Sequence, residues 1–178
     1  MSRPLRADAQ RNRDRLIETA LEAFTTEGAD VTLESIAKRA GVGIGTLYRH
    51  FPTREALVEA VYRTELAKLC DSAPELLRTL PPYEATRAWM DRFTDYMAAK
   101  RGLADALSAV IASGGDPYGE SLARLVETAD LLLKAIDRTD VIPLDLLATL
   151  GGIAMAAGEI GPRPGTLDLV MDGLRYRA

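Results

Sequence analysis

Thr32-Leu33-Glu34-Ser35-Ile36-Ala37-Lys38-Arg39-Ala40-Gly41-Val42-Gly43-Ile44-Gly45-Thr46-Leu47-Tyr48-Arg49-His50-Phe51-Pro52-Thr53-Arg54 is the stretch whose reading decides the fold of this chain. Thr32 suits an N-cap, because its hydroxyl can accept from an orphan amide of a first helical turn. Leu33, Ile36, Ala37 and Ala40 then recur at helical spacing and make one apolar face. Gly41 stands where a helix needs a residue tolerant of positive φ, so the first helix stops there. Val42 supplies an apolar plug between two helices, and Gly43 and Gly45 carry no side chain to hold the second helix away from a partner surface. Pro52 closes the segment, and Thr53 is placed to cap a further helix with apolar positions Ala56, Leu57, Ala60 and Val61.

The second helix, Ile44 to His50, divides its residues between two tasks. Leu47 and Phe51 are four apart, share a face and anchor it to a core. Thr46, Tyr48, Arg49 and His50 are left to point outward. Singly, Tyr48 and His50 read as half-buried core residues and Arg49 as a solvated charge. Together, on a two-turn helix after a glycine turn, they read as a contact surface. A rod of two turns is about 10 Å long, short enough for a major groove ~12 Å wide. This is the layout of a helix-turn-helix.

Gly-Val-Gly-Ile-Gly-Thr-Leu-Tyr-Arg-His-Phe, preceded by Thr-Leu-Glu-Ser-Ile-Ala and followed by Pro-Thr-Arg-Glu-Ala-Leu, resembles the DNA-binding domain of the TetR family of transcriptional regulators. The resemblance covers residues 10 to 62, a third of the chain. It implies a DNA-binding domain over 1–62 and a helical regulatory and dimerisation domain over 63–178. It also implies a repressor that binds a palindromic operator as a homodimer and is released by a small molecule. Carried onto this chain, Thr32, Thr46, Tyr48, His50 and Arg54 are phosphate contacts, and Ile44, Gly45 and Arg49 reach base edges. A guanidinium at Arg49 can bind guanine bidentately. Gly43 belongs to the same DNA-facing set, but family members often carry a polar residue there, so a side-chain contact is missing at this position.

Composition agrees with a compact helical protein. The chain has 178 residues, 47% of them hydrophobic and 6% aromatic, enough for one or two small cores. No run alternates at period two with β-branched residues, so the fold class is all-α. The net charge of −4 argues against a protein that simply coats nucleic acid. Its distribution says more: residues 1–54 carry a balance of +2 and residues 55–178 one of −6, an acidic body with a locally basic tip. Arg3, Arg6, Arg11, Arg13 and Arg15 concentrate near the start; a solvated tail and a DNA-contacting arm are both open readings. Cys70 is the single cysteine, which permits no internal disulfide, and no metal-spaced cluster is present. The N-terminus lacks the apolar stretch of a signal peptide. The longest uncharged stretch, Leu146 to Gly158, falls below the ~20 apolar residues of a membrane span. A cytoplasmic protein with no membrane partner is the expectation.

Helical patterns account for the remainder. The first runs from Ala7 to Glu27 and ends at Gly28; another runs from Thr53 to Ser72, after which Pro74, Pro81 and Pro82 punctuate a link. Five more follow: Tyr83 to Ala99, Leu103 to Ala112, Glu120 to Asp137, Leu144 to Gly158 and, capped by Thr166 after the break Gly161-Pro162-Arg163-Pro164-Gly165, one to Arg175. The helix at 144–158 is apolar nearly all round, so it is buried either in a core or against another chain. The resemblance implies that it and 166–175 pair with their copies in a second subunit. Gly151, Gly152, Ala154, Ala156 and Ala157 would let backbones approach closely.

A pocket for the implied effector should be mostly apolar with a few polar groups. Trp89, Phe93, Tyr96, Met97, Leu107, Ile111, Tyr118, Leu122 and Met155 are candidates to line it, and each is also a candidate core filler. No lysine or arginine faces that stripe, which points to a neutral or cationic apolar ligand. The effector's identity and the operator sequence cannot be read from these residues. Catalysis is set aside: no Ser/His/Asp order, phosphate loop or metal cluster is present, and the only histidine lies in the helix-turn-helix. No cofactor is implied. A helical adaptor without DNA activity is the remaining alternative.

Overall fold

A computed structural model describes residues 3–161, 163 and 165–176, with side chains for all of these except residues 3–6 and 29. Arg3 and Arg6 of the basic tail, and Pro162 and Pro164 of the expected break, therefore lie outside the described side chains or residues. The described chain is helical: α1 (Arg3–Glu27), a 3-10 turn (Gly28–Asp30), α2 (Leu33–Arg39), α3 (Ile44–His50), α4 (Arg54–Thr79), α5 (Pro82–Gly102), α6 (Ala104–Ala112), α7 (Ser121–Ala135), α8 (Pro143–Ile160) and α9 (Gly165–Arg175).

Several boundaries differ from the sequence reading. α4 passes through Pro74 to Thr79, although an interior proline costs a helix ~3 kcal/mol or more. The buried run Leu66, Leu69, Cys70, Ala73 and Leu76 spans the proline, so burial on both sides of it outweighs the lost hydrogen bond. α7 stops at Ala135 because Asp137 takes φ 58, and the Arg138 amide closes on the Leu133 carbonyl at 2.9 Å, a Schellman ending. Thr166 does not cap α9: it lies inside the helix and its hydroxyl donates to the Arg163 carbonyl at 2.5 Å.

The residues cluster into two compact units that do not follow a single cut in the chain. One holds the chain through Thr64 together with Ala99–Pro117. Its core is Leu16, Ile17, Ala20 and Phe24 of α1, Ile36 of α2, Leu47 of α3, Leu57 and Val61 of α4, and Leu107 and Val110 of α6. Residues 99–117 join it through specific contacts. A Cβ on Gly102 would lie 2.3 Å from Thr25 Cγ2 and 3.1 Å from Thr25 Cα, an approach to α1 that only glycine allows. The Lys100 ammonium sits 5.9 Å from the centre of the Tyr62 ring, and α6 packs against the 3-10 turn.

The other unit holds Glu65–Ala98 and the chain from Tyr118 on. Trp89 is fully buried in it and satisfies its indole N–H on the Leu69 carbonyl at 3.1 Å. Trp89, Phe93 and Tyr96 follow one another along α5 as tilted ring pairs, with centres 5.6 and 6.2 Å apart. α7 packs along α8. Buried Arg138 closes the end of α9: its Nη1 donates to the carbonyls of Gly173, Leu174 and Tyr176, while Nε and Nη2 grip Asp140 at 2.8 Å each. A cation on the last carbonyls of a helix satisfies orphan acceptors and opposes the negative end of its dipole.

Candidate nucleic-acid interface

The helix-turn-helix forms as its residues dictate. Thr32 Oγ1 accepts from the Ser35 amide at 3.1 Å and starts α2. Val31 just before it and Ile36 one turn on are both buried, the positions of a hydrophobic staple. At the far end Gly41 takes φ +65. The Gly41 amide bonds the Lys38 carbonyl at 3.1 Å and the Val42 amide bonds the Ala37 carbonyl at 3.0 Å, the paired bonds of a Schellman turn. Gly43 is the N-cap of α3 in extended conformation, with its carbonyl accepting from Thr46 and Leu47 and no side chain to cap an amide. Thr53 caps α4, its Oγ1 accepting from Ala56 at 3.1 Å.

α3 is pinned by Leu47 and Phe51, both buried. Its opposite surface is open: Tyr48 is 45% exposed and Ile44 37%, Gly43, Gly45 and Arg49 are exposed, and Thr46 and His50 are half-buried. Thr32 is exposed at the start of α2. These residues therefore lie on or beside one short helix with hydroxyl, phenol, imidazole and guanidinium groups available, the donor set that phosphates and base edges accept.

Arg54 is placed differently. Its Nη1 donates to the Val31 carbonyl at 2.5 Å and its guanidinium lies 4.9 Å from the centre of the Phe24 ring. The sequence reading, which set it among the phosphate contacts, had no signal for a bond to a residue 23 positions earlier. Arg13, read from the sequence as part of a solvated tail or DNA-contacting arm, has its guanidinium 5.5 Å from the centre of the Phe51 ring at the end of α3. Arg39 is committed too, gripping Glu27 with both amino groups, one at 2.9 Å; that hydrogen bond draws the Glu27 carboxyl below its ordinary value.

The nine candidate effector residues are distributed over both units. Trp89, Phe93 and Tyr96 are buried, and Met97 and Tyr118 half-buried. Leu122 is 58% and Met155 64% exposed. Leu107 and Ile111 lie on α6, in the unit that holds α1 to α3. A hollow of about 430 Å³ in the second unit is lined by a different set: Arg87, Asp91 and Thr94 of α5, Gly152, Ile153, Ala156, Ala157 and Ile160 of α8, Gly161, Arg163, and Thr166 and Leu167 of α9. α5 meets the consecutive pair α8 and α9 there, far from it in sequence, so no local pattern could announce it. At its wall Arg87 is held by Asp91 and by Asp168, the latter at 3.0 Å. Burial pushes the Cys70 thiol up, against a hydrogen bond with Thr128 that lowers it. Among the described residues no group of three or more His, Cys, Asp or Glu is placed to hold a metal ion.

Comparison with known proteins agrees with this geometry. Residues 16–61 match the family described as bacterial regulatory proteins, tetR family, and residues 81–176 match the SbtR-like transcriptional regulator C-terminal domain. The solved structure of the TetR transcriptional regulator SCO0520 from Streptomyces coelicolor is 52% identical, with a TM-score of 0.86 over 93% of this chain and 99% of that one. The TetR regulatory protein from Mycobacterium vanbaalenii is 38% identical, with a TM-score of 0.80 over 97% of this chain and all of that one. The HTH-type transcriptional regulator SrpR of Pseudomonas putida is 38% identical over 78 residues, 43% of this chain and only 37% of its own length. With residues 16–61 and 81–176 each matched by the family and a 52% identical regulator aligned over nearly the whole chain, this chain is a DNA-binding, non-enzymatic transcriptional regulator that belongs to the TetR family.

Proposed function

We propose that the chain is a homodimeric repressor that binds a palindromic operator and leaves it when a small molecule binds. Residues 1–62 serve as the DNA-binding domain and 63–178 as the regulatory and dimerisation domain, in the cytoplasm. The observation that carries the DNA reading is α3: Leu47 and the following Phe51 are buried, while Ile44, Gly45, Tyr48 and Arg49 are exposed. Thr32, Thr46, Tyr48 and His50 hold phosphates. Ile44, Gly45 and Arg49 meet base edges, and side-chain-free Gly43 lets the backbone come close.

Dimerisation is supported by the face that α8 and α9 leave uncovered. α8 is long and apolar enough to cross a membrane by length and composition alone, which the 13-residue uncharged stretch did not suggest. It is mostly unburied within the chain. Met155 on α8, Leu169 on α9 (71% exposed) and Tyr176 just beyond α9 (80%) stand beside Gly152 and Gly173, where an added Cβ would meet nothing within 4 Å. A mid-helix glycine costs ~1 kcal/mol against alanine, and among the described residues no close neighbour excludes a side chain at either position. A second copy laid closely on this face accounts for both the apolar surface and the glycines, and two-fold pairing presents two α3 helices to an inverted repeat. We assign the effector to the 430 Å³ hollow, a volume within the range of small-molecule sites.

Selection from a random-sequence DNA pool, with sedimentation of the recovered complex, tests the reading. Inverted half-sites spaced by about one helical turn, bound by an even number of chains, are expected. A monomer at micromolar concentration in detergent-free buffer, or recovered sequences without symmetry, would sink it.

A further inference from the structure

We propose that Arg54 is a positioning residue of the DNA-reading segment, a clasp that ties the start of the helix-turn-helix to its end, and not a phosphate ligand. Three observations converge. Arg54 is the first residue of α4, so it stands where the chain leaves α3; its Nη1 bonds Val31, the residue just before the Thr32 cap of α2. The two residues are 23 positions apart and enclose α2, the Schellman turn and α3, so this one bond closes the reading segment into a ring. The guanidinium also lies over the ring of buried Phe24 on α1.

The backbone around it is set for this task. The Thr53 cap fixes the first turn of α4 through Ala56, which fixes where the Arg54 side chain begins. Val31 is buried and extended, φ −60 and ψ 133, so its carbonyl direction is set by its own packing. A planar fork can lie on an aromatic face and donate in its own plane at the same time, which an ammonium cannot. The direction in which α2 starts, and with it the angle of α3, is thus referred to the first turn of α4. The apolar anchors Leu33, Ile36, Leu47 and Phe51 remain without the clasp, so its removal leaves a folded unit whose reading helix is less well aimed. A base contact requires aim; a phosphate contact tolerates its loss.

Arg54→Lys and Arg54→Gln, measured on DNA selected by the parent protein and on random DNA across a salt series, test the proposal. Both variants should lose about tenfold or more on the selected sequence, the cost of roughly one misdirected base contact. Loss on random DNA should be small and the salt slope should stay that of the parent, with lysine giving no rescue. Rescue by lysine, with glutamine weakening both DNAs alike and lowering the slope by ~0.9 per chain, would make Arg54 a phosphate ligand and overturn the clasp. A lower Tm with unchanged affinity for both DNAs would overturn it as well, leaving a mere brace. Amide exchange in the DNA-free protein decides the point without any operator. In Arg54→Lys the Ser35 and Ile36 amides of the first α2 turn should exchange faster while Phe51 is unaffected; unchanged Ser35 and Ile36 count against the proposal.

Discussion

At the residue scale, α3 assigns different work to neighbours one position apart. Arg49 is exposed and has no ion pair among the described residues, whereas the Arg39 and Arg54 guanidinium groups are engaged within the fold. Arg49→Ala should therefore relax base preference at one position by ~1–3 kcal/mol. Tyr48→Ala should weaken selected and random DNA by a similar factor. Competition binding on single-base variants of the selected DNA separates the two; equal, sequence-blind losses for both variants would refute the division. Counting cations along the chain overstates the electrostatic footprint here, since a guanidinium that grips a carbonyl or a carboxylate inside the protein does not displace counterions from DNA.

At the scale of elements, Glu27 and Arg39 join the end of α1 to the end of α2. The hydrogen bond from Arg39 lowers the Glu27 carboxyl below its ordinary 4.5. A carboxyl depressed on folding contributes stability above its unfolded value and loses it as pH falls through the lowered folded value. Glu27→Gln should thus melt below the parent at neutral pH, and the gap should close on acidification past 4.5. Both groups are largely exposed, so the effect should be small and should shrink with added salt. Thermal melts across pH 3 to 7 check it; a gap independent of pH would show that the pair is not its source. Most elements were legible from periodicity and caps: Thr32, Gly41 and Thr53 stand at the ends where local chemistry puts them. α4 was not, because Pro74 is a local stop that only the buried face on either side overrides.

For the whole molecule, two predictions concern assembly and regulation. Leu169→Asp puts a charge in the proposed seam of α9 and should yield monomers with intact helix content, read by sedimentation and circular dichroism; an unchanged dimer would place the interface elsewhere. For regulation, α4 contributes residues to both units, and we propose that it carries the effector's displacement to the reading helices. Such coupling is reciprocal, so operator DNA should weaken effector binding by the factor that the effector weakens DNA binding. Calorimetry with and without operator measures this, and equal affinities would exclude the mechanism. Ala157→Phe should fill the hollow and abolish the response while DNA binding persists.

What the order of residues determined alone was everything carried by short-range rules. These include the all-α class, the caps and glycine turn of the helix-turn-helix, the anchoring of α3 by Leu47 and Phe51, and, of the outward set Thr46, Tyr48, Arg49 and His50, the exposure of Tyr48 and Arg49. Each depends on neighbours within about a turn of helix, where spacing and chemistry act together. Only the tertiary structure decided matters that join residues far apart in the chain. It carried α4 past Pro74, brought residues 99–117 to the unit of α1 through the Gly102 approach, and joined Arg54 to the Val31 carbonyl. It also built the hollow from α5, α8 and α9 while leaving Leu122 and Met155 in solvent. The physical reason is common to all four. A long side chain or an apolar face has several possible partners of similar chemistry, and which one it meets is set by how the helices pack.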